Sequence, residues 1–185
     1  MRKTALLLLV LVISLSAYAT PTLQLGGTVF YERMVSDEAW VDELSDLDNF
    51  GFGVEARLNI LDWASLALPV TIGFGDDLVS LGTMPSLNLN LPVADFLDIA
   101  IGLGTRLTFS CHDDTWLVNG SSIDGFGDVF MNANLFYRAA ATFNVGFFGI
   151  GLAASIPTEG SFRHFDAMPS WKETTISASV LVNFF

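Results

Sequence analysis

From residue 22 onward, apolar and polar residues alternate with a period of two through one segment after another. The stretch Phe50 to Ile60, FGFGVEARLNI, shows it plainly: every even position is apolar, and every odd one is glycine or polar, including Glu55 and Arg57. A period of two is the signature of a strand with two unlike faces. The first such segment, TLQLGGTVFYER (Thr22 to Arg33), puts Leu23, Leu25, Val29 and Tyr31 on one face. After the break Leu61-Asp62-Trp63, ASLALPVTIGFG sets Leu66, Leu68, Val70, Ile72 and Phe74 against Ser65, Ala67, Thr71, Gly73 and Gly75. A fourth, LGTMPSLNLNLP, alternates Leu87, Leu89 and Leu91 with Ser86, Asn88 and Asn90. A fifth, LDIAIGLGTRLTFS, opposes Leu97, Ile99, Ile101, Leu103 and Leu107 to Asp98, Gly102, Gly104, Arg106 and Thr108.

The sixth segment, Asp128 to Phe143, sets Val129, Met131, Ala133, Leu135 and Tyr137 against Asn132, Asn134 and Arg138. FFGIGLAASIP follows, with Phe148, Ile150, Leu152 and Ile156 on one face. The last, ETTISASVLVNFF, alternates Ile176, Ala178, Val180, Val182 and Phe184 with Thr175, Ser177, Ser179 and Asn183. Eight strands are predicted. Three connections are short, at residues 61–64, 93–96 and 143–146; the others, near 34–49, 76–80, 111–127 and 157–172, are longer and polar. An even strand number with short turns at one end and long loops at the other predicts an all-β fold. The expected architecture is an eight-stranded antiparallel up-and-down transmembrane β-barrel with short periplasmic turns and longer acidic extracellular loops. Closure leaves no backbone group unpaired in lipid.

Which face meets which solvent decides between two barrels. In a soluble, lipocalin-like barrel the apolar face lines a core and the exterior carries many lysines and glutamates. Here strand charges are few, and the minor face is Gly, Ser, Thr, Asn, Glu and Arg, a composition suited to a narrow lumen. The apolar face is therefore expected to point outward to lipid.

The amino terminus agrees with export. MRKTALLLLVLVISLSAYA has a basic pair, an apolar run and Ala17-Tyr18-Ala19, the pattern of a cleaved signal peptide. Residues 1–19 are read as that signal and 20–185 as the barrel domain. Its apolar run falls short of the ~20 residues a spanning helix needs. Of 8 basic residues, cleavage removes Arg2 and Lys3, leaving six against 20 acidic and a net charge of −14. That balance excludes nucleic acid as a partner, since phosphate contacts need basic patches. The mean hydropathy is +0.51 despite the acidity, because the apolar residues are distributed at period two. The single cysteine, Cys111, forms no internal disulfide.

In signal peptide, eight alternating segments, loop asymmetry and terminal Phe185, the chain resembles the small outer-membrane barrels of the OmpA, OmpX and OmpW type. The resemblance is architectural and covers residues 20–185. One feature departs from that family's pattern: counting back from Phe185 by twos gives Asn183, Leu181 and Ser179, whereas the apolar set is in register with Phe184. The resemblance implies residence in the outer membrane, with lipid as the first partner.

Candidate functional residues fall in three groups. Tyr31, Trp63, Phe96 and Trp171, with Phe143, stand at strand ends and suit aromatic belts at the membrane surfaces. Loop one carries Asp37, Glu38, Asp42, Glu43, Asp46 and Asp48, and the other long loops add Asp76, Asp77, Asp113, Asp114, Asp124, Glu159 and Asp166. Such a surface is solvated first of all; its functional readings are a basic protein partner or divalent cations. DEAWVDELSDLD lacks the glycine and ligand spacing of an EF-hand, and AWVDELSDL fits a short amphipathic helix on the rim. Inside, Glu55, Arg57 and Arg138, with Arg106 and Asp98, are expected to form a charge network, because the second and sixth strands stand opposite in an eight-stranded closure. A lone buried charge is costly, so pairing is expected.

His112 in SCHDD and His164 in FRHFDAM each have an acid nearby, but loop neighbours do not make a nucleophile, base and orienting acid. No metal-ligand spacing, phosphate loop or cofactor motif appears, so no enzyme, metal or cofactor is expected. The expected role is structural or surface-interacting, through the acidic loops, in a monomer whose lumen is plugged. The alternative is a narrow OmpW-like conduit for small or apolar solutes, with Pro69 and Pro85 suiting a lateral opening. An outer-membrane lipid-modifying enzyme comes third.

Overall fold

The structure is a computed structural model that describes residues 22–31, 50–75, 78–94, 96–112, 115–122, 125–166 and 168–184. The proposed signal peptide, the acidic segment Asp37 to Asp48, Asp76, Asp77, Asp95, Asp113, Asp114, Asp124 and Phe185 lie outside the described residues. The described residues form twelve strands: β1 (Thr22–Tyr31), β2 (Phe50–Leu61), β3 (Ala64–Gly75), β4 (Leu78–Thr83), β5 (Ser86–Ala94), β6 (Leu97–Thr105), β7 (Leu107–His112), β8 (Thr115–Val118), β9 (Ser121–Ser122), β10 (Asn134–Val145), β11 (Phe148–Ser161) and β12 (Thr175–Phe184). Helix α1 (Phe126–Asn132) separates β9 from β10.

These reduce to eight staves of one wall. β4 and β5 are two halves of a single stave broken at Met84-Pro85, and β6 and β7 are halves of another broken at Arg106. Around the ring, β1 pairs with β2, β2 with β3, β3 with β4 and β5, those with β7 and β6, β6 with β10, β10 with β11, β11 with β12, and β12 with β1. Every pairing is antiparallel. The chain is a closed eight-stranded antiparallel β-barrel.

The alternation decides which side chains fill it. Gln24, Thr28, Glu55, Arg57, Ser65, Asn88, Arg138, Thr142, Ser177 and Ser179 are buried inside. Their alternate neighbours Val54, Leu58, Ile60, Leu66, Leu89, Ile101, Ile150 and Val180 are exposed on the outer wall. The exterior is thus apolar and the interior polar, the reverse of a soluble barrel.

The prolines sit where the wall changes partners. Pro69 marks the point at which β3 passes from β5 to β4, and Pro85 lies in the β4–β5 break. Neither leaves a slit: Met84 N donates to Pro69 O at 3.3 Å, Thr83 Oγ1 to the same oxygen at 2.9 Å, and Thr105 N to Pro85 O at 3.1 Å.

Three local features differ from the sequence expectation. Strand pairing runs to Gly75↔Leu78, so the connection expected to be long at 76–80 spans two residues. Within 111–127, Val118 pairs with Ser121 across Asn119 (φ 46) and Gly120 (φ 76). Two positive φ values between paired strands make a type I′ hairpin, which Asn-Gly favours. Finally, residues 128–132, expected to begin the sixth strand, are helical as part of Phe126–Asn132. Phe126, Val129 and Phe130 follow a helical i, i+3, i+4 spacing. Val129 and Phe130 pack on Leu107, Val118 and Ala133, and the Phe130 ring lies 5.3 Å from that of Phe162. This packing, where β7 parts from β10 to pair with β8, overrides the alternation.

Candidate functional site

The middle of the lumen is built by β2 and β10 from opposite sides. Glu55 and Arg57 are successive inward positions of β2, which places both side chains in the barrel. Arg138 enters from the facing stave. Glu55 is 1% exposed, Arg57 7% and Arg138 3%. One carboxylate oxygen, Glu55 Oε1, accepts from Arg57 Nε at 2.8 Å and from Arg138 Nη2 at 2.6 Å. Arg57 then reaches two further staves, donating from Nη1 to Thr142 Oγ1 at 2.6 Å and from Nη2 to Ser179 Oγ at 3.2 Å. The cluster therefore ties β2, β10 and β12 together across the lumen.

Glycine makes the space for it. A Cβ on Gly151 would lie 2.6 Å from Arg57 Nη2, so β11 must present bare backbone there. Gly104 performs the same service for the Phe136 ring. Phe136, the next inward residue of β10 toward the long-connection end, is 1% exposed, and Phe30 on β1 is 4%. These two aromatics cap the charged cluster on that side. Leu181, fully buried, fills the inward position of β12 next below Ser179.

Among the described residues, cavities lie on both sides of this packed middle. Toward the short turns lies one of about 80 Å³, whose wall includes Arg57, Arg138, Asn88, Asp98 and Thr142. Below the charges its polar lining is cross-linked: Gln24 Nε2 donates to Asn183 Oδ1 at 2.7 Å, Ser65 Oγ to Asn90 Oδ1 at 2.8 Å, and Asn144 Nδ2 to Asp98 Oδ2 at 2.6 Å. On the far side of Phe136 a second cavity, of about 230 Å³, is lined by Met84, Arg106, Ser155 and Glu173 among others.

Of the charged residues singled out in the sequence, Glu55, Arg57 and Arg138 meet. Asp98 shares a cavity with the two arginines but is bonded to Asn144. Arg106, at the β6–β7 break, belongs to the other cavity. The aromatic candidates divide too. Phe96 is 58% exposed and Trp171 61%, at opposite ends of the barrel; Trp63 is half-buried in the β2–β3 turn. Tyr31 is covered, 6% exposed, with its ring 5.1 Å from that of Phe50. His164 is exposed in the bend after β11, its backbone N donating to Ser161 Oγ at 3.2 Å; the His112 side chain lies outside the described residues.

Phe30, Phe136, Leu181, Thr142 and Ser179 were not legible as site residues. The hydroxyls carry no charge to single them out, and an inward aromatic looks in sequence like any other strand residue. A signal existed for Phe136: it shares the parity of Arg138.

No family model matches the sequence, and no curated protein matches it either. Among solved structures, the chain is similar to the N-terminal β-barrel domain of Pseudomonas aeruginosa OprF, at 10% identity and a TM-score of 0.46, over 90% of this chain and 98% of that one. It is also similar to the Yersinia pestis outer membrane protein Ail in a phospholipid bilayer nanodisc, at 14% identity and a TM-score of 0.48, over 90% of this chain and 99% of that one. The barrel assignment rests on the strand pairing of this chain itself.

Proposed function

We propose that this protein is an integral outer-membrane barrel, plugged in its lumen, that acts structurally or by surface contacts through its acidic long-connection end. The observation that carries the reading is the inverted barrel: an exposed apolar exterior around a buried polar interior. Along β2 the outward positions from Phe52 to Ile60 span eight residue steps. At ~3.3 Å per residue and ~40° tilt this gives a band of about 20 Å, close to the ~25 Å of transmembrane barrels. Exposed Phe96, Phe147 and Phe148 at one end and Phe165 and Trp171 at the other suit interfacial belts. The plug reading rests on the Glu55–Arg57–Arg138 cluster beneath Phe30 and Phe136. The surface role rests on the acidic segments, whose partners would be basic proteins or divalent cations.

The test is membrane fractionation with an alkaline wash, then electrophoresis with and without boiling. Retention in the outer membrane and a heat-dependent shift in mobility support the reading; release as a soluble protein with no shift overturns it. The parting of β7 from β10, with α1 packed beside it, favours a second reading, a narrow conduit with side access. Single-channel conductance of the reconstituted protein separates the two.

A further inference from the structure

The charges of the buried cluster do not balance. Two guanidiniums share one carboxylate, so the cluster of Glu55, Arg57 and Arg138 carries a net charge of +1 in a place nearly closed to water. An uncompensated buried charge of this kind is costly unless something pairs with it. Arg57 is well served, with three separate bonds to Glu55, Thr142 and Ser179. Arg138 is not. Among the described residues its one hydrogen bond is from Nη2 to Glu55, and a guanidinium has five N–H donors. Both arginines line the same cavity of about 80 Å³ on the short-turn side of the cluster, while Phe136 closes the other side.

We propose that this cavity is a binding site for a small inorganic anion of halide size, held by the free edge of Arg138 together with Arg57. At about 10–15 Å³ per water measured this way, its volume holds roughly five to eight water-sized groups, room for a halide with its own hydration waters. Donors are supplied from two staves, Arg57 from β2 and Arg138 from β10. Asp62 and Asp98 stand on the same wall, but nearer that end: Asp62 is exposed in the β2–β3 turn, and Asp98 is the second residue of β6 with its carboxylate bonded to Asn144. Neither carboxylate is hydrogen-bonded to Arg138, whose bond is to Glu55. The site is a property of the barrel interior and stands whether or not the lumen conducts.

The test uses the full chain folded in detergent or bilayer nanodiscs, with sodium chloride, bromide or gluconate at one ionic strength. Gluconate is the bulky, weakly coordinating reference anion. The expected result is a saturable rise of the unfolding midpoint in chloride and bromide over gluconate, of roughly 3–10 °C at ten to a hundred times the dissociation constant. Bromide-soaked crystals should show an anomalous peak within hydrogen-bond reach of Arg138. Arg138→Met should abolish the halide dependence. Should that variant fail to fold, Ala140→Leu fills the same cavity from its wall without touching a charge, and it too should abolish the dependence. Equal midpoints in chloride and gluconate, or a bromide peak absent from the Arg138 cavity, would overturn the proposal.

Discussion

Removing Glu55 should damage the barrel far more than removing either arginine, and the asymmetry follows from the stoichiometry of the cluster. In Glu55→Ala two guanidiniums, 7% and 3% exposed, lose the carboxylate they share. Arg57 keeps its bonds to Thr142 and Ser179, while Arg138 keeps no hydrogen-bonded partner among the described residues. Breaking a buried ion pair from one side costs about 3–5 kcal/mol, because the other charge stays buried and unpaired. Arg138→Met, in contrast, leaves Glu55 and Arg57 as a balanced pair at 2.8 Å and replaces the excess charge with an apolar chain of similar length. That loss should be under about 1.5 kcal/mol, as volume-conserving removal of a charge from a buried network often is. The double variant should recover part of the Glu55→Ala loss, with a coupling of about 2 kcal/mol in a double-mutant cycle. Urea titrations of the protein folded in lipid vesicles, followed by tryptophan fluorescence, give the three values on one scale. If Arg138→Met costs as much as Glu55→Ala, or if Glu55→Ala costs less than about 1 kcal/mol, the charge accounting of the plug is wrong.

Further outcomes test other parts of the structure. Gly151→Val should force Arg57 out of its place, since the added Cβ would lie 2.6 Å from Nη2; a loss of about 1–3 kcal/mol in the same titration is expected. Leu89→Arg, on the outer wall at 51% exposure, should cost about 2–4 kcal/mol in lipid, and much less in a water-exposed exterior. Truncating both lumen aromatics, in Phe30→Ala with Phe136→Ala, should enlarge the space on the long-connection side but leave the Glu55–Arg57–Arg138 cluster in place, so ion currents in planar bilayers should stay at the level of the unaltered protein.

The eight staves were legible because a strand between two unlike solvents writes its geometry into every second residue. Leu87, Leu89 and Leu91 against Ser86, Asn88 and Asn90 leave no other economical arrangement. The meeting of Glu55 with Arg138 was legible too, since closure of eight staves puts the second opposite the sixth. What the alternation hid is what depends on neighbours. Asp128 to Ala133 satisfies a period of two, while Phe126, Val129 and Phe130 have a helical spacing, and the packing on Leu107, Val118 and Phe162 decides for α1. Tyr31 was expected to face the membrane surface, yet Phe50 on the next stave covers it. The partners Thr142 and Ser179 depend on the stagger between staves, which one strand's sequence does not carry. The Asn119-Gly120 turn was readable from its dipeptide and was masked by its place in a polar connection.

The central claim is that the apolar exterior faces lipid. Single nitroxide labels at Leu58, Leu89, Ile101, Ile150 and Val180, in a Cys111→Ser background reconstituted in bilayers, test it most directly. These five side chains are exposed and spread around the wall. The account predicts that all five relax strongly with oxygen, which concentrates in hydrocarbon, and weakly with a water-soluble nickel chelate. Strong nickel relaxation at these sites would place the exterior in water and contradict the membrane barrel.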